Sequence, residues 1–116
     1  MASNLDHAIW TISDNTDWLQ PLVFTDRSGV PYDLTGSTFR LDFKVSREDL
    51  AAVASLTTGN GGIVSTDLPN GTVTLSIADF AIPAGEYVGD LVRIAGAGRE
   101  HLLDIALRVI KGVTGI

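Results

Sequence analysis

The chain has 116 residues, the length of one domain, and a domain of that size buries roughly two thirds of its unfolded surface without needing covalent staples. Eight Lys and Arg against fourteen Asp and Glu give a net charge of −6. That balance repels phosphate backbones, and the basic residues nowhere cluster, so nucleic-acid binding is not expected. The absence of cysteine rules out a disulfide framework, a thiolate metal site and a cysteine nucleophile. No apolar run approaches the ~20 residues of a membrane span. Met1 to His7 has neither the basic nor the apolar region of a signal peptide, so a soluble chain made in the cytoplasm is expected.

Ala8 to Ile12 is a short β-prone run that stops at the polar cluster Ser13 to Asp17, whose side chains favour loops by bonding the nearby backbone. Trp18 to Thr25 reads as a second strand with Trp18, Leu22 and Phe24 inward. Pro21 has no N–H to donate, which places that strand at an edge or makes it irregular. Asp26 to Gly29 is a turn, and the segment through Leu34 is a small hairpin or kink.

Ser37 to Val45 is the clearest stretch of the chain. Phe39, Leu41, Phe43 and Val45 alternate with Thr38, Arg40, Asp42 and Lys44, giving a strand with one apolar and one polar face. A loop at Arg47 to Asp49 and a strand from Ala51 to Thr57 follow, preferred over a helical turn opened by Ser46, then the glycine-rich loop Gly59 to Gly62. Ile63 to Thr66 and Thr72 to Ile77 read as two strands joined through Asn70-Gly71, a strong hairpin signal, with Val73, Leu75 and Ile77 inward. Ala78 to Gly85 crosses over, with Phe80 and Ile82 placed to plug one end of the core. Glu86 to Ile94 is apolar on both faces, Tyr87 and Leu91 on one and Val88, Val92 and Ile94 on the other, and so is expected to be covered on both. His101 to Val109 is the last strand, with Leu103, Ile105, Leu107 and Val109 inward. Residues 1–6 and 111–116 read as frayed termini. About eight short strands with turn signals between them, and no strong helix, define a single all-β domain over residues 1–116, a β-sandwich or a small β-barrel.

No catalytic constellation is visible. His7 and His101 lack metal-ligand spacing and read as surface histidines. Asp14, Asn15 and Asp17 resemble part of a calcium loop but lack its glycine and closing glutamate, so they read as turn formers. Neither glycine-rich loop leads into a helix that could hold phosphate. No metal, cofactor or small-molecule substrate is implied, and the chain is not expected to be an enzyme. Trp10 and Trp18 bracket the acidic loop. Core packing suits Trp18, whereas Trp10 suits either the core or an assembly surface.

Several segments, taken in order, carry a resemblance. They are Asp17 to Asp26, Gly29 to Phe39, Leu56 to Ile63 with its Asn-Gly-Gly-Ile, Asn70 to Leu75, and Pro83 to Leu91 with its Ala-Gly-Glu-Tyr-Val-Gly-Asp-Leu. Together they resemble small phage and prophage structural domains, similar to the N-terminal domain of baseplate upper proteins and to short tail proteins. The likeness spans about Asp17 to Val109. It implies an immunoglobulin-like antiparallel β-sandwich of 7–9 short strands. It further implies a virion tail or baseplate module that binds other virion proteins, and copies of itself, without catalysis. The expected assembly contacts are Trp10, Ile12, Trp18 and Pro21, on exposed edge strands. A carbohydrate- or ligand-binding sandwich is the alternative, with Tyr32, Trp10 and Trp18 as its candidate aromatics.

Overall fold

The inward set Phe39, Leu41 and Phe43 lies on β3 (Thr38–Lys44), and all three side chains are buried to 2% exposure or less. Around it the computed structural model, which describes residues 7–79 and 81–113, forms two facing sheets. The strands are β1 (His7–Ser13), β2 (Trp18–Val23), β3, β4 (Ala54–Thr57), β5 (Ile63–Asp67), β6 (Thr72–Ile77), β7 (Gly85–Ala95) and β8 (Gly98–Ile110). One sheet has the order β1-β8-β7-β3-β4 and the other β2-β6-β5. The chain changes sheet between β1 and β2, β2 and β3, β4 and β5, and β6 and β7. This is the Greek-key connectivity of an immunoglobulin-like sandwich.

The alternating apolar residues of both sheets meet in one core. Leu22, Val73, Leu75, Ile77 and Ile63 come from the three-stranded sheet, and Phe43, Leu91, Leu103, Ile105 and Leu107 from the five-stranded one. Ile82 closes one end at 2% exposure, whereas Phe80 and the terminal residues 1–6 and 114–116 lie outside the described residues. At the C-terminal side, Lys111 to Val113 form no strand, but the Gly112 N–H donates to Asp14 Oδ1 at 2.7 Å and ties that segment to the β1–β2 turn.

Three features depart from the sequence reading. The β1–β8 ladder is parallel, although the other ladders are antiparallel. Val45 is 64% exposed, because β3 ends at Lys44 and the Phe43 carbonyl turns to accept a hydrogen bond from Val53 N–H. The outer face of β7, with Val88, Val92 and Ile94, carries no second layer among the described residues, and these side chains stay half-buried beside their sheet neighbours.

A bulge sets the geometry of β8. Leu91 pairs with Leu103 and Val92 with His101, so Leu102 is an extra residue, and both leucines are buried. In a regular strand His101 and Asp104 would face opposite ways; the bulge puts both outside, where His101 Nε2 meets Asp104 Oδ1 at 3.0 Å.

Tyr87, at the start of β7, is 7% exposed, and its hydroxyl donates to the Pro83 carbonyl at 2.6 Å. This is the tyrosine corner of immunoglobulin-like sandwiches, pinning the crossover from β6 onto the strand it enters. Tyr87→Phe is expected to lower unfolding stability by about 1–2 kcal/mol, since it strands a carbonyl without disturbing the ring's packing. Urea denaturation measures this, and an unchanged midpoint would show that the bond contributes nothing.

Candidate functional site

A sandwich has four exposed strand edges, here β1 and β4 on one sheet and β2 and β5 on the other. Edges display unpaired N–H and C=O groups, and most folds blunt them. β2 carries Pro21 opposite Thr74 within a continuous antiparallel ladder, so the missing N–H falls on its open side. β4 is only four residues long. β5 is irregular between Val64 and Asp67 and ends on that charge. β1 has none of these protections. It runs seven residues without proline, bulge or Lys, and Ala8 to Ser13 bear no charge.

The hydrogen bonds of β1 follow from its parallel register. Ser13 lies opposite Ile110, and the Asp14 N–H donates to the Ile110 carbonyl at 2.9 Å. In a parallel ladder only alternate residues bond the neighbouring strand. Ala8, Trp10 and Ile12 therefore turn their amides to β8, while Ile9, Thr11 and Ser13 turn theirs to the open side. The side chains divide the same way. Trp10 and Ile12 point into the core, and Ile9 stands 73% exposed on the outer face.

The expected assembly residues are separated by this geometry. Ile12 is 7% exposed and is a core residue, so it offers no docking surface, and Ile12→Ser would test folding rather than association. Trp10 and Trp18 are half-buried against the core, with ring centroids 5.2 Å apart and a tilt of 58°. Their contact links β1 of one sheet to β2 of the other. A tilted aromatic pair contributes about 0.5–1.5 kcal/mol beyond its buried area. Pro21 is exposed on the outer side of β2 and blocks that edge. Ile9 and Thr11, the outward-facing residues of β1, are not among the expected contacts. Ala8 to Ile12 is apolar at both parities, and only the bulk of Trp10 and Ile12 hints that the even-numbered set faces inward.

Beside the open edge, the outer face of the five-stranded sheet is graded. Ile9 lies opposite Ala106, Ala106 opposite Val88, and Val88 opposite Lys44, making an apolar strip that the exposed Val45 extends. The neighbouring row is acidic: Asp104 faces Asp90, and Asp90 faces Asp42. Like charges opposite one another destabilise a sheet, and here cations offset them. Arg40 Nε lies 3.1 Å from Asp42, Arg47 lies 3.4 Å from Asp104, and Ser55 Oγ donates to Asp42 at 2.6 Å. Among the described residues no three His, Asp or Glu side chains are arranged to hold a metal ion, and no buried polar side-chain atom lacks a partner.

Two of these carboxylates titrate below their ordinary range. At Asp104 the hydrogen bond from His101 lowers the pKa against a smaller desolvation effect, helped by the charges of His101 and Arg47. At Asp42 burial pushes the pKa up, but the hydrogen bonds from Ser55 and Arg40 and the nearby Arg40 and Lys44 charges outweigh it. Depressed pKa values in the folded state mean stabilisation that is present above the unfolded-state value and lost as pH falls through the folded-state one. The melting temperature should therefore drop through the acidic range below the ordinary aspartate value, and Asp42→Asn should flatten part of that drop. Parallel pH profiles for the two proteins would contradict this.

Among the described residues, the fold is an immunoglobulin-like sandwich whose least protected edge is β1, beside an apolar strip. No protein-family model matches the chain, and no curated protein matches it.

Proposed function

We propose that the chain is a non-enzymatic structural module of a phage or prophage virion, used in the tail or baseplate through protein–protein contacts. The resemblance of the Asp17 to Val109 stretch to small tail and baseplate domains supports the virion context. The observation that carries the mode of action is the unblunted β1 edge beside the exposed Ile9. An edge with free amides takes up another strand by main-chain bonding, and the apolar strip next to it adds side-chain contact.

A carbohydrate-binding module would instead need an exposed aromatic platform. Among the described residues the exposed large apolar side chains are all aliphatic, and both tryptophans lean on the core. Mass spectrometry of purified particles from a strain encoding the chain tests the assignment. The chain should co-purify with tail proteins at fixed stoichiometry. Its absence from intact particles, with expression confirmed in the producing cells, would sink the proposal.

A further inference from the structure

We infer that β1 is a self-pairing edge, through which two copies of this chain join antiparallel about a two-fold axis to make one continuous sheet. This names the partner within the assembly reading and rests on that reading for its place in a particle, though not for its geometry. Among the described residues, the odd-numbered residues of β1 hold the N–H and C=O groups without a strand partner, by the parallel register with β8. In an antiparallel pair, hydrogen-bonded and non-bonded positions alternate. A two-fold through Trp10 therefore sets Ile9 against Thr11 of the second copy and His7 against its Ser13, so every odd residue meets an odd residue. No free group is left facing a residue whose amide is already used. Trp10 falls at a non-bonded position opposite its own copy.

The chemistry of the edge suits a second copy. Ala8 to Ser13 are uncharged, so two molecules of net charge −6 meet where neither carries charge. Ile9, 73% exposed, would lie beside the Ala106 and Val88 strip, extending apolar cover across the junction. Pro21, the shortness of β4 and the irregularity of β5 each make the other edges poorer templates. A symmetric pair using one patch twice is the commonest form of soluble oligomer. Because the remote charges repel while the contact is neutral, added salt should tighten the pair.

Sedimentation velocity of the full chain over a range of concentrations and salt tests this. A reversible dimer that tightens with salt is expected. Thr11→Pro removes an outward N–H and no bond to β8, and Ile9→Lys places a charge at the junction. Each should weaken the dimer about tenfold or more, with circular dichroism and melting close to wild type. A wild-type chain that stays monomeric in high salt, a dimer that loosens with salt, or two folded variants that dimerise like wild type would each overturn self-pairing. Particle mass spectrometry separates this from the wider reading. A monomer found in particles overturns self-pairing alone, whereas a dimer found in no particle upholds self-pairing and removes the virion role.

Discussion

Phe43→Ala should lower the unfolding free energy by about 3–5 kcal/mol, the cost of removing a fully buried ring and leaving a cavity. The ring is 0% exposed, on the central strand of the inward set, and the Leu41 and Phe43 side chains crowd the place where Gly89 would carry a Cβ. A hypothetical Cβ on Gly89 would also lie 2.7 Å from the Asp42 carbonyl, so β3 and β7 are packed closely at this point. Collapse into the vacated space requires two paired strands to shift together, which places the loss toward the upper end of that range. Small domains have only about 5–15 kcal/mol in total, so the variant should melt roughly 15 °C or more below wild type. Val45→Ala is the control. That side chain is 64% exposed, and the change should stay within about 0.5 kcal/mol. If the two substitutions cost the same in urea melts, the core is not centred on β3.

Gly71→Ala is the second large effect. Gly71 follows the 3-10 turn Leu68–Asn70 with φ of 72°, and its N–H donates to the Leu68 carbonyl at 3.0 Å. The chain beyond β2 wraps directly over it: Phe24 N–H donates to the Gly71 carbonyl, Tyr32 N–H to the Phe24 carbonyl, and Leu34 N–H to the Leu68 carbonyl. An added Cβ would sit 2.5 Å from the Phe24 carbonyl oxygen and 2.9 Å from that of Tyr32. These are backbone atoms held by those bonds, so relief means breaking the seam between β2 and β6. Left-handed strain and this overlap together should cost about 2–4 kcal/mol. Gly29→Ala isolates the first contribution, since Gly29 has φ of 86° but open space around it. It should cost about 1–2 kcal/mol, and equal losses at the two glycines would show that the wrap over Gly71 is loose.

Much of this architecture is written in period-two patterns. Phe39, Leu41 and Phe43, then Val73, Leu75 and Ile77, then Leu103, Ile105, Leu107 and Val109 alternate too regularly for a helix, and all of them are buried. Asn70-Gly71 correctly marks the β5–β6 hairpin, although the wrap of residues 24–34 over it depends on contacts far apart in sequence. Val45 continues the pattern of β3 yet is exposed, because alternation does not record where a strand ends. The parallel pairing of β1 with β8 joins opposite ends of the chain, and no local signal specifies it. That pairing also decides which amides of β1 remain free. The run Ala8 to Ile12 therefore stands out in the sequence, but Ile9 and Thr11 could not be told from Trp10 and Ile12 as the residues facing outward.

Residue-resolved amide exchange at several chain concentrations bears most directly on the role of β1. Trp10 and Ile12, bonded to β8, should be protected at every concentration, while Ile9 and Thr11 should gain protection only as concentration rises. If Ile9 and Thr11 exchange at the unprotected rate even at the highest concentration, the open edge of β1 is not where this protein meets its own copies.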